Sequence, residues 1–130
     1  MRKRIALVLL LLSSVTHVVY AEEIYSYDLS EDYADNSTIA AQKYENKSIE
    51  IYGVVSAVYT AMNKKHVIQL YGRNDSGSVD MMVSEKDPLL TKISKYNEVH
   101  AICSSPIYIL GDVLLKECKI ISFKKLKHVR

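Results

Sequence analysis

The residues from Lys47 to Tyr59, KSIEIYGVVSAVY, constrain this chain more than any others. Ile49, Ile51, Val55 and Val58 supply branched apolar side chains along the run, as a β-strand prefers. Gly53 interrupts the alternation near its middle. An isolated glycine inside a strand pattern marks a bulge or a sharp bend. A strand bent at its centre can take part in both halves of a small closed barrel. The segments after it then read as the remaining strands of that barrel.

Ahead of this strand, Glu22 to Leu29 is a polar, tyrosine-bearing lead-in, expected to be extended or loose. Ser30 to Tyr44 reads as a helix, with Ser30 as its cap and Glu31 and Asp32 at its positive end. Leu29, Tyr33, Ala40, Ala41 and Tyr44 fall near one face at helical spacing. Asn36-Ser37-Thr38 is the weak point where this helix could break in two.

Thr60 to Lys64 is a polar connection. Lys65 to Tyr71 alternates, with Ile68 and Leu70 inward, and Ser78 to Val83 alternates with Val79, Met81 and Val83 inward. The turn formers from Gly72 to Gly77 join them as an antiparallel hairpin. Asp87-Pro88 then opens a short helix of about two to three turns, with Leu89, Leu90, Ile93 and Tyr96 on one side. Asn97 to Cys103 is a fourth strand and Asp112 to Ile121 a fifth. A two-residue turn at Leu110-Gly111 would set Cys103 opposite Cys118, with Pro106 as a source of distortion.

This order gives the fold class. It is mainly β, a five-stranded OB-fold Greek-key barrel with an N-terminal helix and a short helix between strands three and four. A different small α+β sheet is the alternative.

The first 21 residues stand apart from the barrel. Met1-Arg2-Lys3-Arg4 is a basic start, and Ile5 to Leu12 is an unbroken apolar run. Val19-Tyr20-Ala21 fits a small-residue cleavage site. Residues 1–21 therefore read as a cleavable signal peptide, cut after Ala21. The alternative, an uncleaved anchor, would need roughly 20 apolar residues. Residues 22–123 form the domain, and residues 124–130 a basic tail. The localisation this predicts is periplasmic or secreted. Losing the signal takes the 17 Lys and Arg down to 14 against 15 Asp and Glu, a formal −1. A near-neutral domain offers no general attraction to nucleic acid.

Export also bears on Cys103 and Cys118, the two cysteines of the chain. An oxidising compartment lets them pair, and closing a loop of about 15 residues contributes roughly 3 kcal/mol in the chain-entropy model. Two buried free thiols are the alternative.

The chain also resembles a known family. Ala34-Asp35-Asn36, Ala40-Ala41-Gln42-Lys43-Tyr44, and Lys47, Ile49, Ile51, Gly53 and Val55 are similar to the opening pattern of the tRNA-anticodon-binding-like OB-fold family. Val99, Cys103, Gly111 and Val113 to Cys118 resemble its closing pattern. The likeness spans about Ser30 to Ile121. It implies the OB-fold and small exported bacterial proteins, and brings no catalytic residues. Ser104-Ser105-Pro106 departs from the pattern where glycine is expected.

The residues carry no recognisable catalytic or metal-binding set. His66, His100 and His128 lack metal-ligand spacing, and the chain has no GxSxG elbow. No cofactor and no metal is expected, and the reading is not an enzyme. OB-folds bind ligands across strands two and three and the flanking loops. The ligand-facing candidates are Tyr59, Val67, Gln69, Tyr71, Arg73, Asp80 and Met82. That set is thin in stacking aromatics and includes an acid, which counts against single-stranded nucleic acid. The expected partner is a protein, peptide or glycan of the cell envelope. The alternative is a structural or assembly part of an envelope complex or oligomer.

Overall fold

The computed structural model describes residues 22–73 and 77–126. The segment read as a signal peptide, the tip of the 72–77 turn and the last four residues of the segment read as a basic tail lie outside the described residues.

Among the described residues, six strands and two α-helices follow in the order β1 Glu22–Tyr25, α1 Ser26–Asp35, α2 Ser37–Tyr44, β2 Ile49–Thr60, β3 His66–Tyr71, β4 Ser78–Val83, β5 Asn97–Ile109 and β6 Asp112–Lys125. The barrel closes as β2-β3-β4-β6-β5 and back to β2. The parallel β4–β6 pair completes it. This is the OB-fold plan expected from the strand order.

β2 serves both halves, as its central glycine predicts. Ile49 to Val54 pair with β5, and Val55 to Thr60 pair with β3. A bulge between Val55 and Ala57 follows the change of partner. Ile49, Ile51 and Val55 are fully buried, whereas Val58 is exposed near the barrel end. The core also holds Ile68, Leu70, Val79, Met81, Val99 and Leu115. Leu29 and Tyr33 of α1, with Ala40 and Tyr44 of α2, pack against it.

Four expectations need correction. The lead-in is already helical over Ser26 to Leu29 and extended only over Glu22 to Tyr25, which form β1, parallel to the first half of β2. Its side chains are mostly exposed, so backbone pairing holds it and no apolar alternation announces it. The N-terminal helix starts at Ser26 rather than Ser30, and it divides in two at the weak point expected at Asn36-Ser37-Thr38. It breaks at Asn36, whose extended backbone lets its side chain accept from the Ile39 N–H at 3.1 Å. Ser30 lies inside α1 as a buried residue and is not a cap.

The short helix is one 3₁₀ turn, Leu90–Lys92. Asp87 is not its cap, because the residue before the turn is Leu89 and no side chain caps it; Asp87 instead accepts from the Leu89 N–H at 3.0 Å, and its second oxygen takes the Ile120 N–H. The Asn97 side chain accepts the Ser94 N–H at 3.0 Å, which ends the helix early. Finally, β6 runs to Lys125, two residues into the segment read as tail. Lys124 pairs there with Glu98 at 3.5 Å.

The β5–β6 hairpin turns at Leu110-Gly111, as expected, with φ of 51° and 90°. Both positive values belong to a two-residue hairpin turn. β5 continues through Ser104-Ser105-Pro106, absorbing the proline with register shifts on either side of Ser104. Cys103 and Cys118 form a disulfide with their α-carbons 4.0 Å apart. The described residues hold no free cysteine.

Candidate functional site

The outward residues of β2, β3 and β4 form rows across the sheet. Tyr59 stands opposite Val67, and Val67 opposite Met82. The next row is Ala57, Gln69 and Asp80. Side chains opposite one another on one face lie within contact reach. The sequence reading therefore brings five of its seven candidates together: Tyr59, Val67, Met82, Gln69 and Asp80.

The apolar row is unevenly accessible. Tyr59 is 41% exposed and Met82 half-buried, but Val67 is only 5% exposed between them. Val67 faces outward in the alternation, yet it is buried between two larger cross-strand neighbours. It serves as floor beneath them, a correction to its expected role as a surface contact. Burial pushes the Tyr59 hydroxyl pKa up, and the Asp80 and Asp112 carboxylates add to the shift.

The polar row is tied together internally. Gln69 donates to Ser78 Oγ at 3.3 Å and to Asp80 Oδ1 at 3.2 Å, and Ser78 donates to the same Asp80 oxygen at 2.8 Å. Ser56 donates to the Gln69 carbonyl at 3.1 Å. These bonds fix the orientation of Gln69 and Asp80, so they present a rigid polar edge to the apolar row.

Two candidates are drawn elsewhere. Arg73 forms an ion pair with Asp35 of α1, and its backbone N–H donates to Ser30 Oγ at 3.2 Å. The Asp35 hydrogen bond and charge raise the guanidinium pKa further. Tyr71 stacks nearly parallel on Tyr96, with centroids 6.5 Å apart. Both therefore help close that end of the barrel.

Beside Met82 the face opens into a cleft of about 750 Å³. Asn63, Lys64 and Lys65 of the β2–β3 turn form one wall, and Lys116 and Glu117 of β6 another. His66, Ser84 and Glu85 complete the rim, with His66 and Glu85 3.8 Å apart. The turn is held in shape by Ala61 and Lys65, whose backbones bond at 2.8 Å, and by Asn63 Oδ1, which accepts from the Lys65 N–H. Lys64 carries a positive φ of 64° there.

The β6 wall was missed from sequence, although a signal existed. Val113 and Leu115 point inward at odd positions, and Cys118 and Ile120 at even ones. That change of parity requires an extra residue between them. The extra residue falls at Lys116-Glu117, where Glu117 has φ of 49° and the β4 register shifts.

The cleft carries both lysines and glutamates together with the apolar Met82 and Val83. Such a lining suits a partner carrying both charges and some apolar surface. No group of three or more His, Cys, Asp or Glu among the described residues could hold a metal. No helix among them is long and apolar enough to cross a membrane.

A family model described as tRNA_anti-like matches residues 15–119. No curated protein matches the chain. A solved structure described as an aspartyl-tRNA synthetase from Leishmania major Friedlin aligns at 17% identity and a TM-score of 0.46. The alignment covers 91% of this chain and 24% of that one, so the chain spans about a quarter of its length. With the family match running from before α1 into β6, and the barrel closed as its fold requires, this chain belongs to the tRNA_anti-like family of OB-fold domains.

Proposed function

We propose that this OB-fold domain is a non-catalytic binding module that is exported and takes a peptide or protein partner in the cell envelope. The partner lies across the outward row of β2, β3 and β4 and enters the cleft beside Met82. The carrying observation is the continuity of the apolar row Tyr59–Val67–Met82 with a cleft rimmed by both lysines and glutamates. The basic start, apolar run and cleavage pattern before Glu22 support export. The disulfide is consistent with an oxidising compartment.

The same observations favour a peptide over a nucleic acid. A single-stranded nucleic acid asks for a positive groove with free aromatic faces. Here Asp80 and Glu85 border the face, and one of its two outward tyrosines is already stacked. Surface plasmon resonance with immobilised protein tests the choice. The reading predicts no saturable binding of a single-stranded oligonucleotide at physiological salt. Strong, salt-sensitive binding would replace it with a nucleic-acid reading.

A further inference from the structure

A second groove, of about 460 Å³, lies between α2 and β5, away from the outward face of β3 and β4. On α2, Thr38, Ala41 and Gln42 follow one another at helical spacing along its side, and Glu45 stands at its C-terminal cap. On the other side, Ile107 and Tyr108 of β5 provide apolar and aromatic surface. Tyr33 of α1 also lines the groove and stacks on Tyr108, with centroids 5.2 Å apart and planes 22° apart.

Tyr33 sets this groove apart from an ordinary surface crease. The residue is 1% exposed, and its hydroxyl has no hydrogen-bond partner among the described residues. Buried hydroxyls almost always find an acceptor, because leaving one unmade is costly. Tyr44, its neighbour at 6.1 Å, follows that rule and donates to Asp32 at 2.5 Å. Tyr33 thus lines the groove while its O–H is a desolvated donor without a partner among the described residues. Burial, with the nearby Glu45 carboxylate, pushes its pKa up to about 12, so it keeps its proton at neutral pH.

The remaining lining decides the ligand class. Ser37 and Thr38 bring hydroxyls that both donate and accept, Gln42 an amide and Glu45 an acceptor. No Lys or Arg lines the groove, and Glu45 disfavours an anion there. Mixed donors and acceptors over an aromatic floor match a neutral, hydroxyl-rich ring.

We propose that the groove between α2 and β5 is a saccharide site in which the Tyr33 hydroxyl donates to a sugar oxygen. This site is separate from the peptide face, and either can stand without the other. The test is a titration of the purified protein with chitotriose and with maltotriose, read by backbone amide shifts. At least one sugar is expected to give saturable shifts at Ser37, Thr38, Ala41 and Tyr108. Tyr33→Phe keeps the ring and is expected to weaken binding about tenfold while raising the melting temperature of the free protein, since it removes an unmet donor. Thr38→Val and Gln42→Ala alter exposed helix positions and are expected to weaken binding with little change in melting temperature. Absence of saturable shifts with both sugars at millimolar concentration overturns the proposal. So does unchanged affinity in Tyr33→Phe, or in both α2 variants should Tyr33→Phe not fold.

Discussion

The Ser26 hydroxyl occupies the space that a side chain on Gly53 would need. A β-carbon on Gly53 would lie 2.4 Å from Ser26 Oγ and 2.9 Å from Leu70 Cδ1. Ser26 cannot simply turn aside, because it donates to the Tyr71 carbonyl at 2.7 Å and thereby ties α1 to the end of β3. Gly53 of the first barrel strand is therefore where the N-terminal helix docks, while the bulge of that strand falls beyond it, between Val55 and Ala57.

Gly53→Ala is expected to destabilise the protein by about 1–3 kcal/mol, the range for overpacking a filled site. Urea denaturation of the wild type and the variant measures it. Ser26→Gly removes both Ser26 atoms in the clash, Oγ at 2.4 Å and Cβ at 2.9 Å. The alanine step should be smaller in that background. An equal cost in both backgrounds would show that the Ser26 contact is not the cause.

Reducing the Cys103–Cys118 disulfide, which spans 15 residues, is expected to cost about 3 kcal/mol. Melting curves with and without reductant read the loss directly. Both cysteines sit in the core, at 2% and 5% exposure, so mild reductant should act only as the protein opens. Instant reduction of the folded protein would contradict that burial.

Leu110→Asn is expected to stabilise. Leu110 holds a left-handed φ of 51° while 98% exposed. The left-handed region costs leucine about 1–2 kcal/mol, whereas Asn-Gly is the preferred sequence for this hairpin turn. No core contact is lost, so the urea midpoint should rise by an amount worth roughly 0.5–1 kcal/mol. A lower midpoint would mean that Leu110 packs on something in solution.

Stability should fall in alkaline solution. Burial raises the Tyr33 and Tyr44 pKa values above the ordinary tyrosine range, and Asp32 adds to the shift at Tyr44. A group with a raised folded pKa contributes stability that is complete below its unfolded value, about 10, and lost as pH rises through the folded value. Urea midpoints should thus be flat in this respect near neutrality and drop above about pH 10. Tyrosinate absorbance should appear at higher pH in the folded protein than in urea.

The barrel was legible because its strands alternate cleanly. Val79, Met81 and Val83, like Val99, Ala101 and Cys103, point inward as their spacing predicts. The disulfide was legible because a two-residue turn at Leu110-Gly111 sets the hairpin, and the register shifts on either side of Ser104 leave Cys103 within reach of Cys118. β1 was not, since its mostly exposed residues show no apolar alternation and only Ile24 packs against the core. The third-to-fourth strand helix was overread because the side chain of Asn97 competes for a helical N–H, and local periodicity does not register that competition. Of the binding face, the row Tyr59–Val67–Met82 follows from strand parity. The burial of Val67 depends on how large its cross-strand neighbours are, and the cleft on a bulge at Lys116-Glu117.

The central claim is that the face containing Met82 binds a peptide or protein. The measurement that tests it most directly is affinity capture with cross-linking from envelope extract, comparing wild type with Met82→Asp. Met82 is half-buried at the cleft rim, so the charge should spare the fold, which circular dichroism checks. The account predicts a specific protein partner that the wild type captures and the folded variant loses by about tenfold or more, as for an interface anchor. Equal capture of that partner by both proteins would contradict it.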